Sequence, residues 1–168
     1  MNLSEQRGGW VILISFIIAL MLLAIPLPQW LSIARPEWAA LVVIYWAIAV
    51  PNRFGLISAW AAGLLQDILM GNIMGLHAMS FVIISYITLR LYQRIRISTI
   101  LRQSLTVLML MLLNQFILLW IYNLTGHKVG GLIYWLPSIT SALVWPLIFL
   151  LLRHFQSLAP QQRQARGV

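Results

Sequence analysis

An all-α integral membrane protein, a single-domain bundle of six transmembrane helices over residues 1–168, is the fold class this sequence predicts, on three observations. The first is composition: 61% of the 168 residues are hydrophobic and 8% are charged, an apolar share far above that of a soluble domain. The second is pattern. Apolar runs of about membrane-spanning length alternate with short polar breaks, and a water-soluble core could not absorb that much apolar surface. The third is the position of the charges, which gather at the ends of those runs.

The first run, Trp10 to Ile25, is preceded by Arg7 and followed by Pro26-Leu27-Pro28. A secretory signal shares the basic flank and apolar run, but this run is long and no small-x-small cleavage site follows it, so a retained span is expected. The loop from Pro26 to Pro36 carries Trp30 and reaches Arg35 and Glu37 at its far edge. Trp30 and Trp38 suit a membrane interface. The second run, Trp38 to Val50, is stopped by Pro51-Asn52-Arg53. It reaches only about 20 Å at 1.5 Å per residue, short of the ~30 Å hydrocarbon core. Either it begins earlier, near Ile33, or it is a short span sheltered by neighbours.

The third span runs from Phe54 to about Met70. In it and just beyond, Gly55, Ala59, Gly63, Asp67, Gly71 and Gly75 form a four-residue ladder, on a helix a single slowly drifting stripe of small side chains interrupted by one carboxylate. Small residues at this spacing let a neighbouring backbone come close. The stripe predicts that this helix is the centre of the bundle rather than a lipid-facing wall. Asp67 lies about 20 Å in from the Arg53 end on a straight helix, and an acid in so apolar a surround needs partners. Gly71-Asn72-Ile73-Met74-Gly75 then turns the chain, with Asn72 the expected cap of the next helix.

The fourth span, from about Ile73 to Leu91, continues into Tyr92-Gln93-Arg94-Ile95-Arg96-Ile97. Arg90 and Arg94 are one turn apart among apolar neighbours, as at a helix end lying in a headgroup layer. They serve either as orienting charge or as a docking face for a cytoplasmic partner. Span five, Ser104 to Leu124, holds Asn114 and Gln115 near its middle, where amides hydrogen-bond across to another helix. The polar loop from Asn123 to Gly131 follows, with His127 and Lys128. Span six, Leu132 to Leu152, contains Pro137 near its start and Pro146 inside it, where a kink is expected. A short basic tail ends the chain, and no second domain, linker or internal repeat is evident.

The formal net charge is +8, from 11 Lys+Arg against 3 Asp+Glu. Six spans put both termini on one side with Arg7, Arg53, Arg90, Arg94, Arg96, Arg102, Arg153, Arg163 and Arg166, leaving Arg35 and Lys128 on the other. By the positive-inside rule both termini are cytoplasmic. The charge therefore orients the chain and attracts anionic headgroups. Nucleic-acid binding is not expected, because no basic surface interleaved with aromatics lies outside the spans. Cysteine is absent, which removes disulfides and thiolate chemistry together.

Asp67 is the sole carboxylate inside a span. General acid–base or metal chemistry would need another ionisable ligand nearby, and His77, His127 and His154 have no metal-ligand spacing. Neither a phosphate loop nor a nucleophile elbow is present. No enzymatic activity, metal or cofactor is expected. Three uses of Asp67 remain open: accepting hydrogen bonds from backbone N–H groups around the Gly71–Gly75 break, meeting a partner protein, or lining an ion or substrate path.

The pattern Arg35-Pro36-Glu37-Trp38, an apolar run with Tyr45-Trp46, then Pro51-Asn52-Arg53, then Gly63-x-x-x-Asp67-x-x-x-Gly71-x-x-x-Gly75, resembles the MreD family of bacterial rod shape-determining membrane proteins. The resemblance covers nearly the whole chain, and its Asp-glycine pattern is the most specific part. It implies a non-enzymatic inner-membrane scaffold of the cell elongation machinery, supporting peptidoglycan synthesis through association with an MreC-like protein. Indirect partners would be MreB, RodA and an elongation penicillin-binding protein. It also implies a fold similar to the substrate-binding subunits of energy-coupling-factor transporters, which makes a substrate-binding subunit of a small-molecule transporter the alternative function. For a scaffold, Trp46, Trp60, Trp145 and the small-residue groove are candidate partner contacts, against ordinary packing within the bundle. Trp60 stands out because it shares a helix with the stripe.

Overall fold

A computed structural model describes residues 3–26, 28, 32–126 and 131–158, with the side chains of 3–8, 132 and 156–158 left aside. Trp30, His127, Lys128, Arg163 and Arg166, and the side chain of Arg7, lie outside the described residues. Within them the chain is helical, with no strand: α1 (Leu3–Ala24), α2 (Trp38–Ala49), α3 (Leu56–Met70), α4 (Leu76–Arg96), α5 (Ile100–Leu124) and α6 (Leu136–Leu158), the last entered through a 3-10 turn at Leu132–Trp135. By length and composition, two stretches can cross a membrane, Ile100–Leu124 and Ile133–Phe155. The short connections α2–α3, α3–α4 and α4–α5 fold the chain into successive helical hairpins.

The helix at the centre is α2, which corrects the expectation that the small-residue helix holds that place. Ala39 through Ile48 are all buried, and α2 touches every other helix. The reason is its all-round apolar character. A helix without a polar face, and only 12 residues long, about 18 Å, gains most when neighbours cover every side. By contrast α3 is two-faced: Ala59, Ala62, Gly63, Gln66 and Asp67 are buried, whereas Ile57, Trp60, Leu65, Ile68 and Leu69 point outward. Small side chains permit one close neighbour; they do not place a helix in the middle.

Aromatic side chains fill the space around α2. Tyr45 meets Trp46 and Phe149 edge-on, Phe16 of α1 stacks on Phe54 at 5.9 Å, and Trp145 of α6 lies against Phe149. Such rings each bury 150–250 Å², roughly, and dominate core energetics. The Trp46 indole N–H donates to Ser15 Oγ at 2.8 Å, and Ser15 in turn donates to the Ile12 carbonyl at 2.7 Å. The Ser15 hydroxyl therefore fixes α1 to the core without an unpaired donor. Arg35 closes the C-terminal end of α1 by donating to the carbonyls of Leu22 and Ile25, groups a helix end leaves unpaired. Pro137 falls in the first turn of α6, where its missing N–H costs nothing, while Pro146 lies inside that helix.

The two mid-span amides bind across helices. Asn114 Oδ1 on α5 accepts from the Ser80 hydroxyl on α4, and Gln115 Oε1 accepts from Ser138 on α6. Gln115 Nε2 also donates to the Tyr134 carbonyl at 2.9 Å, and the Tyr134 hydroxyl donates to the Gln115 carbonyl at 3.2 Å. Away from water, these interhelical hydrogen bonds hold α4, α5 and α6 in one register.

Candidate functional site

The ladder read from the sequence separates in three dimensions into residues with three different tasks. Only Ala59, Gly63 and Asp67 lie within α3; Gly55 is its N-cap and Gly71 its C-cap. At Gly63 the backbones of α3 and α4 come into contact. A Cβ there would sit 2.3 Å from Ala78 Cα and 2.4 Å from Ala78 N, distances no atoms tolerate. This is the close approach that small residues permit.

Gly71 and Gly75 serve the backbone instead. Their φ angles are +64° and +97°, in the left-handed region that costs other residues about 1–2 kcal/mol, and a Cβ at either would meet nothing within 4 Å. Gly71 ends α3 with its N–H on the Ile68 carbonyl, and the Asn72 N–H binds the Asp67 carbonyl at 3.0 Å. Gly75 is the N-cap of α4 and supplies no capping side chain. Asn72, expected as the cap, stands too early in the turn for that role.

The cap is Asp67, reaching over from the preceding helix. Its carboxylate is fully buried at the start of α4. Oδ2 accepts from the Gly75 N–H at 2.9 Å, and Oδ1 accepts from the His77 N–H at 3.0 Å. The first N–H groups of a helix have no partner of their own, and their partial positive charge favours an anion. The buried acid and the bare helix end thus satisfy each other. The His77 ring completes the arrangement, with Nδ1 2.7 Å from Oδ1. Reading by spacing missed His77. It lies ten residues from Asp67, a separation that means nothing until the chain reverses between them.

Among the site candidates, then, Gly63, Asp67 and Gly75 converge on the α3–α4 hairpin, joined by His77, and Gly71 opens the turn. Trp60 is 51% exposed on the outer face of α3. Trp46 and Trp145 are buried core residues whose rings pack around α2, which is the ordinary packing weighed against partner contact. Arg90 and Arg94 lie at the other end of α4, both exposed, about 20–27 Å along the axis from Leu76. Arg90 donates to the Tyr86 hydroxyl at 3.2 Å and rests over its ring at 5.4 Å.

No cluster of three metal-ligating side chains occurs among the described residues. A cavity of about 340 Å³ between α1, α2 and α6 is lined by apolar residues including Ile18, Leu22, Val42, Leu147 and Leu151. Ser15, which also lines it, is already engaged with Trp46 and Ile12.

Comparison with known proteins adds two findings. The profile of the family described as rod shape-determining protein MreD matches residues 4–155. A curated relative, the rod shape-determining protein MreD of Haemophilus influenzae, is 30% identical over 148 residues, covering 86% of this chain and 90% of that protein. No solved structure matches the chain.

Proposed function

The chain belongs to the MreD family of rod shape-determining proteins, and from that membership we propose that it acts as a non-enzymatic scaffold of the cell elongation complex in the bacterial inner membrane. In this reading the chain, one domain over residues 1–168, holds an MreC-like protein and through it supports peptidoglycan synthesis with MreB, RodA and an elongation penicillin-binding protein. All six helices cross the bilayer, with a bundle similar to the substrate-binding subunits of energy-coupling-factor transporters, and both termini are cytoplasmic. The short α2 would cross only because its neighbours surround it.

One observation carries the scaffold reading. The buried acid of the spans is engaged by donors of its own chain, the N–H groups of Gly75 and His77 and the His77 ring. A carboxylate so occupied serves to lock a hairpin. That hairpin presents bulky outward side chains, Ile57, Trp60, Leu65 and Ile68, on a stiff support. Such a face suits a partner's membrane helix, with Trp60 as its aromatic anchor.

The test is removal and capture. Deleting the gene in a rod-shaped host should give rounded cells, and the tagged protein should bring down an MreC-like protein from native membranes in fixed ratio. Rods that persist, or a purified protein that carries a small metabolite and no MreC-like partner, would defeat the proposal. Reporter fusions at Gln29, Lys128 and the C terminus address orientation separately, and a periplasmic C terminus would reject the six-span arrangement.

A further inference from the structure

The end of the bundle opposite Asp67 holds a charge distribution that the scaffold reading does not use. Arg53 precedes α3, Arg96 ends α4, Arg102 opens α5 and Arg153 lies near the end of α6, so the alternating course of the helices brings two interhelical turns and the end of α6 to the same end of the bundle with their cations. All four are exposed, as are Arg90 and Arg94. Of the carboxylates whose side chains are described, Asp67 is buried at the start of α4 and Glu37 comes just before α2, while Glu5 belongs to the first turn of α1. With 1.5 Å per residue, the length of α4 separates Arg96 from the Asp67 end by about 30 Å. The cations at this end therefore lie well away from both Asp67 and Glu37.

The turn between α4 and α5 adds a second observation. Ile97 is 86% and Leu101 82% exposed, and Arg94, Arg96 and Arg102 flank them in the chain. The turn is tied from behind. Gln103 Nε2 donates to the carbonyls of Ile95 and Ser98 at 3.0 and 3.3 Å, and Ser98 Oγ donates to Ile95 at 2.7 Å. Exposed aliphatic side chains flanked in the chain by arginines match the boundary of an anionic bilayer, where apolar side chains enter the acyl region and arginines reach the phosphates. Guanidinium also pairs with phosphate in two-point fashion.

We propose that the α4–α5 turn is a docking surface for anionic phospholipid, with Arg94, Arg96 and Arg102 binding headgroup phosphates and Ile97 and Leu101 seated at the acyl boundary. The inference rests on the bilayer placement of the preceding section and on no protein partner. An acidic protein segment could answer the arginines but would not draw Ile97 into lipid, and this difference sets the test.

Full-length protein is purified in neutral detergent with equal phosphatidylglycerol and phosphatidylethanolamine, and retained lipid is read by native mass spectrometry. The wild type should keep phosphatidylglycerol in preference. Replacing Arg94, Arg96 and Arg102 with Gln should lower that preference by about fivefold per charge removed, with the thermal midpoint unchanged. Because the chain has no cysteine, Ile97→Cys carries a single spin label. In discs containing phosphatidylglycerol, oxygen should relax this label more than a water-soluble nickel complex does. Equal retention of the two lipids, a preference that survives the triple substitution, or a nickel-accessible label would each overturn the proposal. Loss of MreC-like capture alongside an intact phosphatidylglycerol preference would instead reject the scaffold alone.

Discussion

Placing a methyl group at Gly63 should open the α3–α4 hairpin, and the geometry sets how far. The added Cβ would lie 2.3 Å from Ala78 Cα, where ordinary contact begins at 3.4 Å, so the helices must part by about 1 Å. A displacement of that size carries the Gly75 N–H bond to Asp67 from 2.9 Å to about 3.9 Å, beyond hydrogen-bonding range. Overpacking costs about 1–3 kcal/mol, and weakening a charge-assisted bond to a buried acid adds about 1.5–3 kcal/mol. Gly63→Ala should therefore lose about 2.5–6 kcal/mol. Gly71→Ala, in open space but at positive φ, should lose only about 1–2 kcal/mol. The obstacle at Gly63 is the Ala78 backbone rather than its methyl group, so Ala78→Gly should fail to rescue. Thermal unfolding of the detergent-solubilised proteins, followed by tryptophan fluorescence, measures all three. A Gly63→Ala protein as stable as wild type, or one restored by Ala78→Gly, would refute the close-approach argument.

Four further outcomes follow from the same contacts. Asp67→Ala strands the N–H groups of Gly75 and His77 and should cost about 3–5 kcal/mol, whereas Asp67→Asn keeps one acceptor oxygen and should cost about 1–3 kcal/mol; equal loss with normal protein level would implicate the charge itself. His77→Phe removes one donor to Asp67 but leaves the backbone cap, so unfolding should show a loss of about 1–3 kcal/mol. Trp145→Ala should destabilise by about 3–5 kcal/mol, while exposed Trp60→Ala should change stability by no more than about 0.5 kcal/mol and lower capture of an MreC-like protein in pull-downs. Gln115→Ala releases Ser138 and the Tyr134 carbonyl, and a shift in stability of about 1–2 kcal/mol is expected in the same unfolding assay.

Much of the candidate site was legible before folding was considered, though not its assembly. Asp67 is conspicuous as an acid among apolar residues, and its need for donors follows from burial alone. The glycines around it are equally visible. Their division of labour is not, because a four-residue ladder cannot distinguish a glycine that admits a neighbour, as Gly63 does, from one that supplies a left-handed turn, as Gly71 and Gly75 do. His77 was invisible for a related reason. Its partnership with Asp67 exists only because the turn carries the start of α4 back alongside α3. The tryptophans show the same limit. Trp46, Trp60 and Trp145 look alike in the chain, yet only Trp60 sits on an outward face.

What the amino-acid sequence determined by itself is the apolar helical class, the approximate helix limits and which helix ends carry arginine, since these depend on local composition and on periodicity along one element. The tertiary structure decided which helix the others surround. That place fell to α2 rather than to the helix bearing the small-residue stripe, because centrality depends on how many neighbours can cover a helix, and no single segment encodes its neighbours. Likewise the pairing of a buried carboxylate with the bare start of α4 is a contact between two helices, created only when both are packed.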